Sequence, residues 1–265
     1  MASEDENKAL EENELSGSVF RYLLQEISAL GYSISFGILN TADYGAPQKR
    51  IRFCMLGYRD VNAMGMPKPT HGELPLRPYV TLRHAIHDLI DEPMTHSVYT
   101  DKIADLFRKI PPGKNWRSLS LEEQMLALGG SFAAGGGKTG FMRRLSWSAP
   151  APTLTTKPNR KGTALCHPEK LRPLSVEEYK RVQGFPDSWI LAGAMNQQYQ
   201  QIGNAVPTQL GEALGRHVLF TLNQQRAKQP QTMQELSVMA EQALKKLRSY
   251  ARNNQRKPAP HAGLK

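Results

Sequence analysis

The chain has 265 residues and a net charge of +10, with 34 Lys and Arg against 24 Asp and Glu. That length allows one large domain or two small ones. No apolar run is long enough to cross a bilayer, and the polar, acidic first residues are not those of a signal peptide. Two distant cysteines, Cys54 and Cys166, exclude a disulfide framework and point to a reducing compartment, while the positive charge favours a polyanionic partner.

Residues 1–15 carry Glu4, Asp5, Glu6, Glu11, Glu12 and Glu14 and read as a frayed helix or a solvated acidic arm. Val19, Phe20, Leu23, Leu24, Ile27 and Leu30 then recur at helical spacing, predicting a helix with one buried face. Gly31 ends it. Tyr32 to Asn40 reads as a strand, Asp43-Tyr44-Gly45-Ala46-Pro47 as a turn, and Ile51 to Tyr58 as a second strand. Arg50 and Arg52 alternate with Ile51, so both guanidinium groups face one side of an extended segment, each a rigid fork suited to phosphate or a base carbonyl.

The stretch from Asp60 to Pro78 is a Pro- and Gly-rich linker or irregular loop. Thr81 caps a short helix through Ile90, with Leu82, Ala85, Ile86 and Leu89 inward. His84 and His87 lie on it three apart, but no further ligands stand at zinc spacing, so both read as surface or boundary histidines and no metal is expected. Ile110 to Trp116 reads as a rigid turn presenting Trp116, and Ser120 with Glu123 forms a capping box. Gly129 to Gly140 invites a nucleotide-loop reading, but Phe132 stands where the first glycine of that loop is required.

Arg143 and Arg144, among aromatic neighbours, suit phosphate contact. Lys157, Asn159, Arg160 and Lys161 form a basic loop that suits the same backbone. Cys166 and His167, with no second pair, read as structural. Ser175 and Glu178 form a second capping box, and Gln183-Gly184-Phe185-Pro186 stops that helix. Gly203-Asn204 turns the chain before another helix, whose first turn suits Pro207. Exposed donors at such a helix start are a natural place for a polar ligand. From Thr232, capped with Glu235, Leu236, Met239, Ala243, Leu244 and Leu247 stripe an amphipathic helix of about five turns.

Three of these stretches are more than generic. Arg172-Pro-Leu-Ser-Val-Glu-Glu-Tyr-Lys-Arg-Val-Gln-Gly-Phe-Pro186 and Tyr199-Gln-Gln-Ile-Gly-Asn-Ala-Val-Pro207 resemble the two closing motifs of the DNA cytosine-5 methyltransferases, and Ala42-Asp-Tyr-Gly-Ala-Pro-Gln-Lys-Arg-Ile-Arg52 resembles that family's Gln-x-Arg-x-Arg motif. The resemblance covers roughly residues 29 to 219. It implies an α/β fold: the end of a Rossmann-like S-adenosylmethionine-dependent methyltransferase sheet, a smaller β-rich target-recognition domain and a C-terminal helical tail. The implied boundaries are 1–15 acidic arm, 16–60 catalytic units, 61–185 target recognition, 186–225 closing helix and 226–265 tail.

The resemblance also implies roles. Arg52 would contact the extruded cytosine, Arg50 a nearby phosphate, and Gln48 would brace the loop. Asn204, Ala205 and Val206 would form part of the S-adenosylmethionine pocket. Pro152-Thr-Leu-Thr-Thr156 is similar to a recognition-domain segment in which Thr153 and Leu154 support DNA near the flipped base, with Thr155 competing for the polar contact. Arg143, Arg144, Lys157, Arg160 and Lys161 would meet double-stranded DNA.

The family's nucleophile comes from a Pro-Cys motif, but Phe53 precedes Cys54 and Leu165 precedes Cys166. Its Glu-Asn-Val and Gly-rich cofactor segments are not found either. The expectation is therefore the C-terminal subunit of a split enzyme, joined by an N-terminal subunit that carries the catalytic Cys and most of the cofactor pocket, acting at the nucleoid in a bacterial cytoplasm. A non-catalytic DNA-binding or regulatory relic and an unrelated interaction protein are the alternatives. Which DNA sequence is read does not follow from the residues.

Overall fold

The computed structural model describes residues 18–133, 140–224 and 231–255. The acidic arm, most of the Gly136-containing loop and the last ten residues therefore lie outside the described residues. The fold is mixed α/β and divides into two compact units. The smaller comprises Met1–Ile38, Phe53–Pro67 and Arg216–Leu247; the larger comprises Leu39–Arg52, Lys68–Gly215 and Arg248–Lys265.

In the smaller unit, helix α1 (Ser18–Ala29) ends at Gly31, whose φ of +85° is open to glycine at no steric cost. Strand β1 (Ser33–Asn40) follows and pairs with β3 (Ile51–Tyr58). Seven of the eight β1 residues are buried, so both faces are covered and the residues do not alternate in burial. Leu24, Ile34, Phe36 and Leu236 form the core, and Phe20 meets Phe36 and Phe53 edge-on at 5.3 and 5.4 Å. The face of α1 is narrower than its spacing suggested. Phe20, Leu24 and Ile27 pack inward, but Val19 is 81% exposed and Leu23 and Leu30 are also out, because the inward stripe is only one residue wide.

Helix α7 (Thr208–Asn223) enters this unit at Arg216, and α8 (Met233–Gln255) covers it with Leu236, Met239 and Ala243. The Thr232–Glu235 box caps α8 as expected. Just before it, the Gln231 amide accepts from Ile34 N (2.7 Å) and donates to Ile34 O (2.8 Å). One side chain thus takes the place of a neighbouring strand along β1.

The larger unit is not the β-rich body expected of residues 61–185. Its strands are two residues long: β2 (Gln48–Lys49) runs parallel to β5 (Ala151–Pro152), and β4 (Arg143–Arg144) parallel to β6 (Leu165–Cys166). Helices fill much of the rest: α2 (Leu82–Ile86), α3 (Asp101–Arg108), α4 (Leu121–Leu128), α5 (Val176–Val182) and α6 (Met195–Asn204). Frequent Pro and Gly cut the strands short. Trp116 does not project outward: it is buried with Phe107, Ile110 and Met142, since an indole contributes more area to a core than any other side chain available there. Thr81 precedes α2, yet its hydroxyl bonds the His84 ring instead of capping backbone.

Both capping boxes form, at Ser120–Glu123 and Ser175–Glu178. The second is buried. Glu178 receives both Arg172 Nη1 and Nη2, at 2.7 and 3.0 Å, besides the Ser175 N–H at 2.6 Å. His167 lies against this carboxylate, with Nε2 at 3.6 Å from Oε1, beyond hydrogen-bond length. Its Nδ1 accepts from the N–H groups of Glu169 and Lys170, so the ring is a structural acceptor and stays neutral.

Burial lowers the His167 pKa from 6.5 to about 4, against the opposing pull of Glu178. The unfolded chain takes up this proton below pH 6.5 while the fold refuses it until about pH 4. Stability from this group is therefore complete above pH 6.5 and declines across that window by about 3 kcal/mol. His167→Asn, which keeps an acceptor near Nδ1, is expected to flatten that part of the profile in urea titrations run from pH 7 to pH 4.

Candidate functional site

The site is built on the loop that joins β1 to β3. A 3-10 turn, Thr41–Tyr44, ends at Gly45 with φ +92°. Thr41 then closes the loop on itself: its N–H donates to Arg50 O at 3.0 Å and its hydroxyl to Gln48 O at 2.6 Å. β2 lies beside β5, and Thr153 Oγ1 donates to Lys49 O at 2.9 Å. This fixes Gln48, Arg50 and Arg52 in register with residues 151–156.

Gln48 is fully buried. Its Oε1 accepts from Leu154 N (3.1 Å), and its Nε2 donates to Gln183 Oε1. Gln183, also buried, uses its own Nε2 on Ile202 O and Ala205 O. It caps α5, where Gly184 at φ +83° turns the chain away. In the sequence Gln183 belonged to a helix stop and to the first closing motif, without a role of its own. Its position in the Gln-Gly-Phe-Pro run was the one available signal.

Arg50 is buried as well, and its fork is occupied: Nη1 donates to Leu154 O (3.0 Å) and Nη2 to Gly203 O (2.9 Å). It does not reach for a phosphate. A buried guanidinium needs acceptors at hand, and two backbone carbonyls supply them. Burial, then the nearby Arg52 charge, brings its pKa down to about 10, still cationic at neutral pH. Arg52 differs. Its Nη1 donates to Ile51 O at 2.8 Å, and no second acceptor engages the group among the described residues. One arginine clamps the loop and the next keeps most of its donors available.

The Gly203–Asn204 pair is not a turn. Both residues end α6, and the chain bends at Ala205–Val206 before α7 begins at Thr208. Gly203 is required for a different reason: a Cβ there would stand 2.7 Å from Thr155 C and Thr156 N. The start of α7 is also less open than its sequence suggested, because Thr208 N donates to Gln183 O and its hydroxyl to Gly184 O. Asn204 is exposed, Ala205 extended and half-buried, and Val206 46% exposed. One open amide beside one open apolar side chain fits an edge of a site for an amphiphilic nucleoside such as S-adenosylmethionine. A charged partner for its amino-acid end is not among these three residues.

The expected DNA contacts separate into two groups. Lys157 and Arg160 are exposed, with heads unengaged among the described residues, on a loop held by Thr163 Oγ1 donating to Lys157 O (2.8 Å). Lys161 Nζ reaches Leu126 O at 3.4 Å, Thr153 is exposed, and Thr155 is half-buried. Arg143 is half-buried, its pKa lowered by burial and then by Arg117.

Arg144 is a correction. Its guanidinium donates to the carbonyls of Pro168, Phe107, Ile110 and Glu169 at 3.0 to 3.3 Å, so it holds the fold instead of a phosphate. Leu154 is another. Its side chain lies in the core with Leu82 and Ile202, and only its backbone serves the site.

Two glycines give opposite expected outcomes. Gly203→Ala forces backbone apart at Thr155–Thr156 and is expected to cost about 1–3 kcal/mol. Gly211→Ala, inside α7 with nothing within 4 Å of its Cβ, is expected to gain roughly 0.5–1 kcal/mol. Urea unfolding of the two variants beside the parent checks both signs.

Comparison with known proteins agrees with the pattern of residues. A family model described as C-5 cytosine-specific DNA methylase matches residues 7–219. The Type II methyltransferase M.Sau96I of Staphylococcus aureus is 36% identical over 212 residues, covering 80% of this chain and 49% of that protein. The Type II methyltransferase M.Eco47II of Escherichia coli is 38% identical over 217 residues, covering 80% of this chain and 52% of that protein. A crystal structure of a putative DNA modification methyltransferase from an E. coli prophage overlays with a TM-score of 0.49 at 20% identity, covering 81% of this chain and 67% of that one. The chain spans about half the length of the curated relatives it matches. By the extent of the family match, it belongs to the C-5 cytosine-specific DNA methylases.

Proposed function

We propose that this chain is the DNA-reading and site-closing part of a DNA (cytosine-5-)-methyltransferase, completed by a partner chain that carries the catalytic Cys. The observation that carries the reading is the buried Gln48–Gln183–Arg50 cluster. It joins the Gln-x-Arg-x-Arg loop to both closing motifs and leaves the Arg52 fork available. In this reading Arg52 steadies the extruded cytosine by its carbonyl oxygen. Lys157 and Arg160 lie along the phosphates of double-stranded DNA, with Arg143, Lys161, Thr153 and Thr155 near them. Extrusion costs a few kcal/mol, which a preset Arg52 helps offset.

Asn204, Ala205 and Val206 would hold one edge of S-adenosylmethionine. That cofactor supplies an electrophilic methyl group when bound. The thiolate is assigned to the N-terminal subunit because neither cysteine here suits the task. Cys166 is fully buried and its thiol is pushed up to about 11 by burial, and Cys54 sits within β3. A bacterial cytoplasm, where such an enzyme meets the nucleoid, is the corresponding place of action.

The test mixes this chain with a candidate N-terminal subunit, duplex DNA and S-adenosylmethionine labelled in the methyl group. Label is expected in DNA only from the mixture, and Arg52→Ala is expected to lower kcat by about 100-fold. Label transferred by this chain alone would sink the split assignment. Duplex binding that falls steeply with salt but supports no transfer with any complement would favour a DNA-binding relic.

A further inference from the structure

The C-terminal helix lies outside the family match, and its last turns, from Arg248, belong to the larger unit. There the Tyr250 hydroxyl donates to Asp43 Oδ2 at 3.4 Å, a long bond. Asp43 Oδ1 accepts from Asn40 Nδ2 at 3.0 Å and from the Tyr79 hydroxyl at 3.2 Å. The Asp43 carbonyl holds the following loop through Thr70 N and His71 N, at 2.9 and 3.0 Å. Asp43 is thus a carboxylate only 9% exposed, held by neutral donors from three separate segments, and two of those donors are tyrosines.

Asp43 sits in the 3-10 turn that Thr41 locks to Gln48 O and Arg50 O. A displacement of the turn therefore carries directly into the Gln48–Arg52 segment. Resting on the reading above, in which Arg52 faces the cytosine, we propose that Tyr250 is a positioning residue: acting through Asp43, it holds the Gln48–Arg52 segment in place from outside the family match. Burial, and after it the charge of Asp43, raises the Tyr250 pKa. The hydroxyl therefore remains a donor at any physiological pH. Asn40 and Tyr79 alone leave Oδ2 without this partner, and an under-bonded carboxylate is costly when so little of it reaches water.

The test has two arms. In the first, hydrogen exchange is measured on the isolated chain by mass spectrometry. Tyr250→Phe is expected to quicken exchange about fivefold in peptides spanning 40–52 and to leave peptides spanning 233–247 unchanged, which shows that α8 remains folded. Unchanged exchange in 40–52 overturns the proposal whatever the enzyme does.

In the second arm, with the partner subunit present, Tyr250→Phe is expected to lower kcat about fivefold at constant KM for DNA. It is expected to have no further effect in an Asp43→Asn background. An equal loss in both backgrounds overturns the route through Asp43. Quickened exchange in 40–52 without methyl transfer by any complement upholds the positioning contact and removes the methyltransferase reading instead.

Discussion

A side-chain amide buried away from water must find its partners inside the protein. Gln48 and Gln183, which are 135 residues apart in sequence, find theirs in each other and in Leu154 N, Ile202 O and Ala205 O. The full set is satisfied only when the β1–β3 loop, the 151–156 segment, the end of α5 and the end of α6 arrive together. Arg50 repeats the constraint with a charge, on Leu154 O and Gly203 O. The close approach at Gly203 permits it, since any Cβ would push the 155–156 backbone away. The larger unit is therefore held by a few directional groups as well as by its apolar core.

This arrangement assigns different work to chemically identical side chains. Arg50 and Arg144 have their guanidinium groups surrounded by backbone carbonyls, and Arg52, Lys157 and Arg160 keep donors available. The difference is how many backbone carbonyls stand within reach of each group. An arginine inside the fold takes carbonyls because a guanidinium without acceptors there is costly, and one at the surface stays in water until a phosphate or a base replaces it.

Much of this was legible beforehand. The capping boxes at Ser120 and Ser175 follow from local spacing, and so does the stop at Gly184, because a cap is decided within four residues. Motif order located the Gln48–Arg52 loop and the 199–207 segment. What was not legible depends on distant partners. Alternation placed Arg50 and Arg52 on one side, but nothing in the spacing told that one would be buried against Gly203. Arg144 and Leu154 read as DNA contacts because residue type was visible and depth was not. The β-rich character that the resemblance implied for residues 61–185 is not seen, since the strands there are two residues long and side-chain-to-backbone bonds do much of the joining. Tyr250 gave no signal, as its partner Asp43 lies 207 residues away.

The central claim is that Gln48 and Gln183 act as one unit in joining these segments. A double-mutant cycle measures it: Gln48→Ala, Gln183→Ala and the double variant, each unfolded in urea beside the parent chain. Coupling of about 1–3 kcal/mol between the two sites is the result this account requires. Losses that simply add would contradict it, and would mean the closing motifs are held to the Gln-x-Arg-x-Arg loop by something other than this buried amide pair.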